Sequence, residues 1–156
     1  MDLAGRLCDH VAAEREKLPP AQIGQLGRCE VSVAGDRAKT VLVVDDDRDL
    51  LSLVSLVLEE EGFHVETAAD GREGLEAVKG GMPNLILLDM KMPVMNGWEF
   101  AREFQSRYDS RAPIVVITAS EDARKRAEEI GAAGWIGKPF DLDALVRVVR
   151  SHIDRR

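Results

Sequence analysis

Three short apolar runs interrupt an otherwise mixed chain: Thr40–Val44 (TVLVV), Leu85–Leu88 (LILL) and Ile114–Ile117 (IVVI). Unbroken runs of this length, rich in β-branched residues and bounded by turn residues, fit strands buried on both faces. Between them the period lengthens. In residues 48–61, Leu50, Leu53, Val54, Val57 and Leu58 fall on one helical face. In residues 98–107 the stripe is Trp98, Ala101, Phe104 and Gln105, and in 141–153 it is Leu142, Leu145, Val146, Val149 and Ile153. These repeats near 3.6 predict amphipathic helices. Weaker helices are predicted at 71–79, around Leu75 and Val78, and at 121–131, around Ala123, Ala127 and Ile130. The last of these carries only alanines and one isoleucine on its apolar face, so little burial anchors it. Weaker strands fit 63–67 and 134–137. Gly62 and Asp70-Gly71 read as a helix stop and a turn.

Five strands alternating with five helices predict an α/β fold with a parallel sheet, helices on both faces and right-handed crossovers. The regular pattern starts near residue 39. Residues 1–38 form an N-terminal extension broken by Pro19-Pro20, Gly24, Gly27 and Gly35. A helix over 2–17 and a short strand over 30–33 are the elements it could hold. It reads first as a flexible or loosely docked extension, as chain termini often are, and otherwise as a docking or dimerising arm, or as a remnant of an upstream domain or a misplaced start codon.

The chain has 156 residues, 45% hydrophobic and 31% charged, which is ordinary globular composition for about one domain. A formal charge of −7 argues against nucleic acid and anionic membranes as partners, since phosphate binding runs on Lys and Arg. Apolar stretches such as Leu50–Leu58 are far short of the ~20 residues of a membrane span. The N-terminus has no apolar signal-like core. Cys8 and Cys29 lie in no CxxC pair and read as free thiols of a cytoplasmic protein.

The polar residues after the strands carry the chemistry. Asp45-Asp46-Asp47 follows the first strand, Asp89 the third, Thr118 the fourth and Lys138-Pro139 the fifth. Ligands of open parallel sheets bind beyond the carboxyl ends of the strands. Carboxylates gathered there repel one another unless a cation joins them. Oxygen ligands without thiols or imidazoles favour a hard ion such as Mg²⁺, which keeps waters and a phosphate oxygen. A lysine and a hydroxyl beside such an ion point to phosphoryl chemistry, with a carboxylate as nucleophile.

The segments VLVVDDD, LILLDMKMP, VVITAS and GWIGKPF, in this order, closely resemble those of response-regulator receiver domains of two-component signalling. The resemblance covers about residues 39–154, within a receiver domain taken as 39–156. It implies a flavodoxin-like doubly wound sheet of order 2-1-3-4-5. It implies that Asp89 accepts a phosphoryl group from a sensor histidine kinase or histidine phosphotransfer protein. Asp45 and Asp46 would hold Mg²⁺ together with Asp89 and the backbone carbonyl of Lys91. Thr118 and Lys138 would bind phosphoryl oxygens, and the Lys138–Pro139 bond would be cis. Thr118 and Trp135 would form the switch pair, Trp135 turning inward as Thr118 shifts. Trp135 has a second reading, an edge-strand core aromatic.

Neighbouring residues have plainer uses. Asp47 reads as the cap of the first helix and Asp49 as a favourable charge in its first turn. Asn84 stands where the family often has an acid, and alters a turn. Lys91 and Ser120 fall at positions that modulate phosphoryl lifetime in the family. Glu59–Glu61 reads as a solvated helix end. His10, His64 and His152 read as ordinary structural histidines. Arg147, Arg150, Arg155 and Arg156 read as a solvated helix face.

The favoured function is a stand-alone phospho-switch, not a turnover enzyme, that signals to a downstream effector protein by protein–protein contact. Only two arginines follow residue 154, so no C-terminal output domain is expected. A phosphorylation-dependent dimer and onward phosphotransfer are further routes of output. Two alternatives differ in class. One is a metal-dependent phosphatase forming an aspartyl-phosphate, although Lys91 stands where such enzymes carry a second Asp. The other is a degenerate receiver acting as a scaffold.

Overall fold

The computed structural model describes residues 37–109, 112–119 and 121–154. The expected helix at 2–17 and strand at 30–33 lie outside these residues, as do Cys8, His10, Cys29, Ser120, Arg155 and Arg156.

Among the described residues five strands form one sheet: β1 (Thr40–Val44), β2 (His64–Ala68), β3 (Leu85–Asp89), β4 (Ile114–Thr118) and β5 (Gly134–Gly137). All pairings are parallel and the spatial order is β2-β1-β3-β4-β5. The helices are α1 (Arg48–Glu60), α2 (Gly71–Gly80), α3 (Gly97–Tyr108), α4 (Ala123–Ile130) and α5 (Leu142–Ile153). This is the doubly wound order 2-1-3-4-5 that the resemblance implied, and each predicted element among the described residues lies within two residues of its observed bounds.

Strand alternation divides the core in two. Leu42, Val44, Ile86, Leu88, Ile114 and Val116 meet side chains of α2, α3 and α4 on one face. Val41, Val43, Leu85, Leu87, Val115 and Ile117 meet α1 and α5 on the other. The three central strands are therefore apolar at nearly every position, because both of their faces are covered.

Two predicted stripes need correction. The inward face of α1 is Leu51, Val54 and Leu58. Leu53, assigned to the stripe, is 44% exposed. In α3 the buried aromatics are Phe100 and Phe104, with ring centroids 5.9 Å apart. Phe100 was not in the predicted stripe, and Trp98, which was, is only half-buried. Trp135 is 49% exposed, so it is no core aromatic. It pairs in register with Val116 and lies on the α4 side of the sheet edge.

Local devices fix the helix starts that border the strand ends. The Asp47 carboxylate caps α1 by accepting from the N–H groups of Asp49 and Leu50, as its position predicted. Asn96 and Glu99 form a reciprocal capping box on α3. Asp70 and Asp141 cap α2 and α5. Gly97 allows α3 to start against the backbone of Asp89: a Cβ there would stand 2.6 Å from the Asp89 carbonyl oxygen.

At the opposite edge Asn84 does more than shape a turn. Its side-chain oxygen accepts from Thr40 N–H and its own N–H donates to the Thr40 carbonyl, both at 2.8 Å, tying β3 to β1. Glu59, Glu60 and Glu61 are exposed, with Glu61 paired to Arg150. His64 is exposed, and the ring nitrogens of His152 lie 2.8 Å and 3.1 Å from the carbonyls of Val148 and Ala133. His152 thus ties α5 to the turn before β5, and His64 lies on the surface. No described helix is long and apolar enough to cross a membrane.

Candidate functional site

Register alone assembles the site. Val44 pairs with Leu88, Asp89 with Ile117, and Thr118 with Gly137. Asp45, Asp89, Thr118 and Lys138 therefore follow one another along the carboxyl edge of the sheet. The Lys138 N–H donates to the Thr118 carbonyl at 2.8 Å, so the last two are joined through the backbone as well. The Lys138–Pro139 peptide is cis, as the resemblance implied.

One carboxylate oxygen each from Asp45, Asp46 and Asp89 gathers within 4.8 Å. Asp45 is 1% exposed and Asp89 6%, while Asp46 is open to solvent. Asp45 is held at both oxygens: one accepts from the Asp47 N–H at 2.9 Å, the other from Lys138 Nζ at 2.7 Å. Lys138 Nζ is 3.8 Å from Asp89, a looser pair. Asp89 also accepts from the Lys91 backbone N–H. Asp47 takes no part in the cluster and works as the helix cap.

The electrostatics follow from this crowding. Burial pushes the Asp89 carboxyl from its ordinary 3.8 up to about 6, and Asp45 and, more weakly, Asp46 add to the rise. Lys138 and the Lys91 N–H pull the other way without cancelling it. An acid so placed is poorly compensated by the protein alone. The donor set is all hard oxygen, so it fits a small divalent cation such as Mg²⁺ better than zinc or copper. A cation beside Asp89 would favour its ionised form.

Thr118 ends β4 and is buried. The Lys91 side chain is exposed and points to no role in the cluster. Trp135 lies on β5, three residues before Lys138, on the face that α4 covers. Sequence reasoning missed a second polar group, between α3 and α4. Trp98 at the start of α3 hydrogen-bonds Glu129 of α4, and Arg126 stacks over the same indole. Glu129, drawn to the indole N–H and to Arg126, has its carboxyl held below the ordinary range. No spacing rule announces such a group, because its members meet only when two helices pack.

Comparison with known proteins agrees with this fold. The profile of the response regulator receiver domain matches residues 41–150. The response regulator ArlR of Staphylococcus saprophyticus is 36% identical over 118 residues, 74% of this chain and 53% of that protein. The DNA-binding response regulator MtrA of Mycobacterium tuberculosis is 41% identical over 117 residues, 74% of this chain and 50% of its own. The chain thus spans about half the length of these relatives. Among solved structures, the chemotaxis protein CheY4 of Vibrio cholerae superposes with a TM-score of 0.68 and 34% identity, over 74% of this chain and 98% of that one. The response regulator TrrA of Thermotoga maritima, in complex with Mg²⁺-BeF, gives a TM-score of 0.66 and 32% identity over 73% and 98%.

Proposed function

The chain belongs to the response regulator receiver family, and from that premise we propose that it is a phosphorylation-activated switch in which Asp89 is the phosphoacceptor. The donor is a phosphohistidine on a sensor histidine kinase or a histidine phosphotransfer protein. The observation that carries the reading is the seating of Asp89: buried, beside Asp45, Asp46 and the ammonium of Lys138, at the open end of the sheet.

Mg²⁺ would be held by Asp45, Asp46, Asp89 and the Lys91 carbonyl, and would supply neutralisation of charge on the phosphoryl oxygens. The chain's own residues supply the rest. The ionised Asp89 oxygen attacks phosphorus in line. The P–O bond forms as the P–N bond to the donor imidazole breaks, and the imidazole keeps that electron pair. Lys138 offers its ammonium to a phosphoryl oxygen, and burial excludes competing water. The product is an acyl phosphate. Thr118 then turns its hydroxyl to the new group, and Trp135 moves inward from its half-exposed place at the sheet edge. The α4–β5–α5 surface changes, and a downstream effector protein reads it in the cytoplasm by protein–protein contact.

Incubation with acetyl phosphate and Mg²⁺ should put one acid-labile phosphoryl group on the wild-type chain and none on Asp89→Asn. Labelling of that variant at the wild-type rate would overturn the acceptor assignment. Chelation of Mg²⁺ should abolish labelling of the wild-type chain.

A further inference from the structure

The helix that the proposed switch must move is weakly anchored by apolar contacts. The inward face of α4 is Ala123, Ala127 and Ile130, and two alanines with one isoleucine bury little surface. What ties it to its neighbour is polar. Trp98 Nε1 donates to Glu129 Oε2 at 2.9 Å. A terminal guanidinium nitrogen of Arg126 donates to both Glu129 oxygens, at 3.1 Å and 3.2 Å. The same guanidinium lies over the Trp98 ring, 5.3 Å from its centroid. The three side chains close a ring of mutual contacts between α3 and α4, and the Arg126 Nε is enclosed within it without a hydrogen-bond partner.

The two helices are not equally free. The start of α3 is fixed by its capping box, by Gly97 against the Asp89 backbone, and by Phe100, Ala101 and Phe104 in the core. By contrast, α4 follows β4 within five residues of Thr118. A shift of Thr118 toward a group on Asp89 pulls on the α4 end of the ring while Trp98 stays in place.

Resting on the proposed reading of Asp89, we infer that Trp98, Arg126 and Glu129 form a clasp that holds α4 in its unmodified position, so that its strength sets how readily the acceptor site takes up a phosphoryl group. Contacts made in one state only tax any ligand that prefers the other. Weakening the clasp must therefore tighten binding of a phosphoryl mimic at Asp89. The pair Arg124–Glu128, 3.0 Å apart, is an ion pair of the same kind that stays within α4 and serves as the control.

The test is calorimetric titration of beryllofluoride, with Mg²⁺ present, into the full chain and into Trp98→Phe, Glu129→Gln, their double variant and Glu128→Gln. Each clasp variant should bind roughly threefold to thirtyfold tighter than wild type, Trp98→Phe from the loss of the indole N–H bond to a carboxylate and Glu129→Gln from the loss of the charge that Arg126 and the indole share. The double variant should gain clearly less than the two single gains combined, because both act on one ring of contacts. Glu128→Gln should bind like wild type. Equal or weaker binding by the clasp variants overturns the inference and leaves the acceptor reading intact, and so does equal tightening by Glu128→Gln. Failure of wild type to bind overturns the acceptor reading and the clasp together. Should Trp98→Phe not fold, Glu129→Gln, a change at a half-exposed charge, decides alone.

Discussion

Replacing Asp89 by Asn should stabilise the metal-free protein, and the gain should depend on pH in a defined direction. The carboxyl of Asp89 is raised from 3.8 to about 6 in the fold, chiefly by burial. Below pH 4 the group is protonated both folded and unfolded, and it imposes no penalty. Between about 4 and 6 the unfolded chain releases the proton while the folded one keeps it, so stability falls as pH rises. Above about 6 the folded state holds a poorly compensated carboxylate. A shift of about two units at ~1.36 kcal/mol each puts the full penalty near 3 kcal/mol. Asn keeps the shape and still accepts from the Lys91 N–H, but it gives up attraction to Lys138. The expected gain at pH 8 is therefore about 1–3 kcal/mol. Urea unfolding in EDTA and low salt, at pH 4.5, 6, 7 and 8, measures it. The difference between variant and wild type should shrink steadily toward pH 4.5. A difference independent of pH, or a variant less stable than wild type at pH 8, would refute the electrostatic account. Mg²⁺ should raise the wild-type midpoint more than the variant's, because the cation relieves the penalty that Asn has already removed.

Two further outcomes test other parts of the structure. Lys138→Ala removes the partner 2.7 Å from the nearly fully buried Asp45, and should cost about 2 kcal/mol in urea unfolding at pH 7; stability equal to wild type would mean that Lys138 does not compensate Asp45. Val94 combines a φ of +67° with 72% exposure in the loop after β3, so Val94→Gly should relieve backbone strain while losing little burial. A net gain of about 0.5–1 kcal/mol is expected by thermal melting, after the entropic cost of glycine, and a loss would show that the loop is not strained.

The central strands could be read directly because both of their faces are buried, so no choice of phase was needed. The helices required one. In α1, leucines and valines fill 50, 51, 53, 54, 56, 57 and 58, and so broad a stripe does not say which edge meets the sheet. Packing selects Leu51, Val54 and Leu58, and leaves Leu53 outside. In α3 the indole of Trp98 looked like core, yet its N–H needs a partner. It sits at the rim, where Glu129 provides one, and Phe100 takes the interior. The acidic and basic site residues were legible because each ends a strand, and parallel register carries strand ends to one edge. Strand order was not in the periodicity at all; it came from the family resemblance. The pull of α3 on α4 was invisible for the same reason: it depends on contacts between elements that no local pattern encodes.

Lys138 links the chemistry of the proposed switch to its moving parts. It is the one ammonium near three carboxylates among the described residues, and it is committed to Asp45 at 2.7 Å and only loosely to Asp89 at 3.8 Å. A phosphoryl group on Asp89 replaces one negative charge with about two, and places it farther out from the strand end. The lysine is then drawn from Asp45 toward the new oxygens, and a cation must take over at Asp45, which is too buried to stand alone. On the proposed reading, metal binding and phosphorylation would be coupled through this side chain, and each should strengthen the other. Lys138 follows β5 directly, and its N–H is bonded to Thr118. Any shift of that lysine is felt at once by the end of β4 and by the strand that carries Trp135. The clasp between α3 and α4 opposes that shift from the far side of α4. On this account the balance of the switch lies between one ammonium at the strand ends and one carboxylate, Glu129, on the helix surface.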